Sequence, residues 1–523
     1  MNKVITSLIA IFTIAGAAHA QHPVDVPKLV VTITVDQLRG DYLQYFSQSF
    51  GERGFKRLLN EGLVYHQMQY DFPNVNQASA VATLYTGTYP YTHNITGNKR
   101  YDFESKRELS IIYDSEYIGN YTSENFSPLA LTASTVGDEL KLASGGKSDV
   151  FSIAPNAQAS LLSVGRYANA AFWLDDYNGR WATTTYYKGV PWYIDRYNNS
   201  EITINKSDAS WTPALGAYRA FPYTKNTTPF RYEFVRGDKD KFLKIKQTPL
   251  INTEVTALAA KFFEYADFGK RTNPDLLSIT YYAGNYQENK NDEYGWEIQD
   301  IYYRLDKEIE RLLDLIEQKA GLKNTMIVLT STGYFDTKPN YISGLNPAGE
   351  FYPNRCTALL NMYLMAIHGQ ANWVLGHYEN QIYLNKKYID DLKLDWATIL
   401  KQAAEFVSQF SGVQEVTTSS EIIFEEQVAG RNAFRRGMSK KISGHIFIEL
   451  QPGWLVVNED TRETKIVQNN AIITPLIFFG NNIPKQHIYR PIKAVDVAPT
   501  ISHVLRIRPP NASKSIPLQE FLH

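Results

Sequence analysis

The chain has 523 residues, 44% of them hydrophobic, which is enough for one large domain with insertions or for two or three smaller ones. Its 53 basic and 54 acidic residues leave a formal net charge of −1, so composition makes no electrostatic case for nucleic acid or an acidic membrane surface. The single cysteine, Cys356, excludes an internal disulfide, and a chain this long does not need one.

Residues 1–20 read as a secretory signal: Lys3, an apolar run at 4–16, then Ala18-His19-Ala20 and a cut after Ala20. The apolar run falls short of the roughly 18 residues that span a bilayer unaided, and no later run reaches that length. The expected product is periplasmic or secreted, without a transmembrane segment of its own. Residues 28–36, KLVVTITVD, read as a buried strand ending in Asp36. A helix at 46–61 and a strand at 63–70 follow. Residues 72–98 form a loop, a short helix of small residues and a turn-rich return.

Residues 143–250 read as an inserted cap subdomain, because short aromatic runs such as AAFWL and WATTTYY alternate with turn signals. Trp211 and Tyr218 are its expected surface anchors. Residues 21–142 and 251–523 make the core. There, strands at 275–283 and 325–332 flank an amphipathic helix at 296–322, a βαβ pattern that implies a parallel sheet. A hairpin at 444–457, a strand at 472–480 and a helix at 495–505 complete an α/β domain with helices on both sheet faces. His93, His445 and His503 sit in turn, strand and helix and read as structural.

In an open α/β sheet the site lies where strand ends face a helix N-terminus. That N-terminus binds anions, and here it begins at Gln77, whose amide is no nucleophile.

The motifs VDQLRGDY at 35–42, YTGTYP at 85–90, HNITGN at 93–98, ANAAFWLDDYNGRW at 168–181 and SGHIFIELQPGW at 443–454 carry a resemblance. The chain resembles the alkaline phosphatase superfamily on its type I phosphodiesterase/nucleotide pyrophosphatase side, in particular the periplasmic phosphate-irrepressible alkaline phosphatases. The resemblance implies a mostly parallel central sheet, two zinc ions on Asp and His ligands, a Thr nucleophile, and a phosphate clamp of Asn, Lys and Arg. Carried onto this chain, it keeps Asp36 and Asn98 but puts Gln77 at the nucleophile. It puts Tyr281, Asn285, Thr332, Gly333 and Ile473 (or Ile472) at metal ligands, and Asn156 and Gln158 at the cap's cations. One Asp cannot bind zinc alone, so the expectation is a dismantled site without metal or cofactor. Three function classes follow: a pseudoenzyme binding protein partners in the cell envelope, a divergent hydrolase, or a glycan or small-ligand binding module.

Overall fold

An unbroken apolar run gives a strand no polar face, and Leu29–Asp36 is buried at every residue in the middle of an 11-stranded sheet. The structure is a computed structural model. It describes residues 26–522 apart from 104, 106, 203, 217–228, 287–294, 337–347, 425–428, 461, 463 and 468–470. The signal segment and Tyr218 therefore lie outside the described residues.

Asp275–Tyr282 and Thr325–Ser331 do not pair with each other, as the βαβ reading implied. They flank Leu29–Asp36, one on each side, both parallel to it. The antiparallel strand Thr474–Gly480 continues the sheet toward Leu63–Gln69. On the far side come Val150–Ala154, Ala170–Leu174 and Trp181–Thr184. Within the cap expected at 143–250, the aromatic strands up to Thr184 thus extend the main sheet, with Phe172, Trp173 and Trp181 in the core, whereas Ala209–Trp211 and Tyr232–Phe234 pair separately. Trp211 is not a surface anchor. It is 1% exposed, and its indole donates to Asp300 Oδ2 at 2.6 Å.

A second hydrophobic core lies instead within residues 351–450, centred on Leu360, Trp373 and Ile399. Its four-stranded sheet includes Gln381–Leu384, Val413–Thr418 and Ile446–Leu450. The expected hairpin at 444–457 is absent. Leu455–Val457 turns away at Gly453 and pairs with Glu350–Phe351 and Thr464–Ile466.

The helix expected at 46–61 is broken. Gly51 and Phe55 both donate backbone N–H groups to the Asp306 carboxylate, and a Cβ at Gly54 would meet Asp306 at 2.2 Å. The helix that matters for the site, Gln77–Thr86, is buried at all ten residues. Tyr85 fastens it to the sheet, its hydroxyl bonded to Thr32 at 2.8 Å and to Ser278 at 2.9 Å. Among the described residues no helix is long and apolar enough to cross a membrane.

Candidate functional site

The end of Leu29–Asp36 meets the start of Gln77–Thr86, and Asp36 is 3% exposed there. Its carboxyl is fully engaged. Gln77 Nε2 donates to Oδ2 at 2.8 Å and Thr332 Oγ1 donates to Oδ1 at 2.9 Å, with the buried Tyr334 close by. Thr332 in turn accepts from the backbone N–H of Gln37 at 2.9 Å, and Asn156 Nδ2 donates to Gln77 Oε1 at 3.2 Å. Burial first, then the nearby Asp336 charge, pushes the Asp36 acid up to about 7, against the pull of its hydrogen-bond donors, Thr332 foremost.

The helix N-terminus is closed by the protein itself. Asn76 and Ser79 form a reciprocal cap, and Asn98 Oδ1 accepts the N–H of Ala78 at 3.0 Å. The N–H groups of Ala78 and Ser79, in the first turn expected to hold an anion, thus have side-chain acceptors already. Gln158 Nε2 donates to Ser110 Oγ at 3.1 Å and, more weakly, to the Asn98 carbonyl at 3.5 Å.

Two of the remaining positions, Tyr281 and Ile473, do not turn their side chains to Asp36. Residues alternate along a strand, so Tyr281 faces the helix Pro249–Tyr265, where its hydroxyl meets Thr256 at 2.8 Å, and Tyr282 is the one beside Asp36. Asn285 is past the strand end and donates to the Asp336 carbonyl at 3.3 Å. Ile473 is half exposed, while Ile472 is partly buried and its N–H bonds to Gly333 O at 2.9 Å. Thr332 and Gly333 do lie at the site. Gly333 has φ +73°, and a Cβ there would lie 2.0 Å from the Tyr70 ring. That ring is pinned by its hydroxyl to Ser331 O at 2.8 Å.

Sequence reasoning missed Tyr70, Tyr334 and Asp336. Nothing local marks Tyr70, since its contact with Gly333 exists only across the sheet. His93 is buried and structural: it accepts the Ile95 N–H at 3.1 Å, bonds Thr83 at 3.1 Å, and burial pushes its imidazole down to about 3.

Zinc held by this fold's usual chemistry needs three or four Asp, His or Cys donors. Asp36 is surrounded instead by an amide, the Thr332 hydroxyl and the tyrosines Tyr70, Tyr282 and Tyr334, with Asp336 as one further carboxylate nearby. Among the described residues no group of three His, Cys, Asp or Glu side chains is placed to hold a metal ion. The residues present therefore do not fit two zinc ions, and no chemistry is derived through them.

Residues 30–472 match the family described as type I phosphodiesterase/nucleotide pyrophosphatase. A protein of Myroides odoratus named calcium-transporting ATPase is 28% identical, the match covering 99% of this chain and 98% of that one. Alkaline phosphatase PafA of Elizabethkingia meningoseptica is 26% identical over 98% of each chain. The crystal structure of wild-type alkaline phosphatase PafA aligns with a TM-score of 0.75 at 26% identity, over 94% of this chain and 98% of that one.

Proposed function

The chain belongs to the type I phosphodiesterase/nucleotide pyrophosphatase family of alkaline-phosphatase-like hydrolases, and from that premise we propose that it is a member whose hydrolytic site is lost and whose scaffold serves for binding. One observation carries this reading. Both oxygens of the buried Asp36 carboxyl are taken up by Gln77 and Thr332, each at a position where the family's chemistry needs a nucleophile or a ligand. Gln77 supplies no nucleophile, and Asn156 and Gln158 supply no cation to a transferring phosphoryl group. The changes agree with one another. Removing metals from a site of buried carboxylates leaves unpaired charge, and neutral residues relieve it. An exported binding protein of this kind would act on a protein partner of the cell envelope. The near-zero net charge favours shape and apolar contact over charge attraction.

A second reading, a hydrolase with a rearranged site, draws on Thr332. Its hydroxyl points at a carboxyl whose pKa lies near neutrality, as a nucleophile and base would be arranged. Against it, Thr332 is 0% exposed and spends its hydroxyl on Gln37 and Asp36. Turnover of an aryl phosphate monoester and diester by wild type, Asp36→Ala and Thr332→Val separates the two readings. Background rates in all three are expected. A wild-type rate abolished by either substitution would establish the hydrolase.

A further inference from the structure

Between the α/β core and the chain returning at 438–444 lies an open cleft of about 210 Å3, lined by Asn94, Arg100, Tyr113, Asp114, Ser127 and Ile442 among others. It sits at the seam with the second core, where Tyr383 of that unit's sheet donates to Ile442 O at 3.0 Å. Seams of this kind are common ligand sites.

Most polar groups of the cleft are occupied by one another. Asp114 Oδ2 accepts from Ser127 at 2.6 Å, and its Oδ1 accepts the Glu116 N–H at 3.1 Å. Asn94 Nδ2 donates to Ala130 O at 3.3 Å, and its Oδ1 accepts from Ser439. Arg100 is different. It follows Asn98 and Lys99 into the short strand Lys99–Asp102. Lys99 pairs with Glu108 at 3.1 Å, whereas the Arg100 guanidinium meets no hydrogen-bond or ion-pair partner among the described residues. Its planar fork of N–H donors matches a carboxylate or phosphate in bidentate fashion. One further cation is close in the chain: Lys440, directly after the Ser439 that bonds Asn94, lies over the Tyr91 ring at 4.3 Å. The volume is below the roughly 300–1,000 Å3 of drug-sized sites, so the occupant is compact.

We propose that this cleft binds a small molecule bearing one carboxylate or phosphate group, with Arg100 as its anchor. The proposal does not depend on loss of the hydrolytic site, because the cleft lies outside the Asp36 cluster.

Titration calorimetry with the purified protein tests it, using inorganic phosphate in one arm and glutamate in the other. Saturable one-to-one binding of at least one probe is expected in wild type, with phosphate alone or glutamate alone identifying the preferred group. Affinity is expected to fall at least tenfold in Arg100→Leu, to survive in part in Arg100→Lys, and to be unchanged in Asn156→Ala, which alters the old phosphate position. Arg100→Gln serves in place of Arg100→Leu if the latter melts below wild type. Binding of neither probe, equal binding by the Arg100→Leu or Arg100→Gln protein, or loss of binding in Asn156→Ala would overturn the proposal.

Discussion

Asp36 is the residue on which the account turns, and its protonation gives a direct check. Its folded pKa of about 7 lies above the ordinary value of 3.8. Between those values the folded protein holds a proton that the unfolded chain has released. The carboxyl therefore favours folding below about pH 4, and that contribution drains away as pH rises toward 7. Asp36→Asn removes the titration. Melting followed from pH 4 to 9 is expected to show wild type losing stability relative to the variant as pH rises, with the variant ahead above pH 7. A constant gap across the range would mean that Asp36 stays charged. Gly333 gives a second check at this scale. Restoring a His there places a side chain at φ +73° and against the Tyr70 ring. Gly333→His is expected to cost about 2–4 kcal/mol in urea unfolding, and less when combined with Tyr70→Ala. Gln77→Thr alone is expected to restore no turnover in a phosphate ester assay, because groups acting as a unit do not add.

Elements explain why some of this was legible and some was not. The match of YTGTYP fixed the helix Gln77–Thr86 and hence Gln77, and the strand ends fixed Asp36 and Thr332, because strand and helix periods are local. The direction of the Tyr281 side chain was not legible, because the face of a strand depends on its register, and Asp36 pairs with Tyr282. The pairing of the aromatic strands within the expected cap was not legible for a related reason. Short aromatic strands separated by turns look alike whether they form a small sheet of their own or extend a large one, and here Val150–Ala154 pairs with Asp275–Tyr282. Two measurements belong here. Trp211→Ala, once expected to be a harmless surface change, is expected to cost about 3–5 kcal/mol in denaturant unfolding, since it empties a core site and strips Asp300 of a donor. Asn98→Ala removes an acceptor from the helix start, for an expected loss of about 1 kcal/mol by the same method.

For the whole molecule, the sheet, its helices and the family membership were readable from the sequence, whereas the second core at 351–450 was not. Its strands are short, and the segments that pair, such as Val413–Thr418 with Ile446–Leu450, are separated by a helical stretch. The fold is shared with PafA at a TM-score of 0.75. Whether the site around Asp36 still takes metal is the most direct question. The zinc content of the purified mature protein, measured after incubation with excess zinc and exhaustive dialysis, answers it. Substoichiometric zinc is the expected result, because Gln77 and Thr332 occupy both oxygens of the Asp36 carboxyl and Tyr70 fills the space at Gly333. Two equivalents of zinc retained per chain would contradict the account.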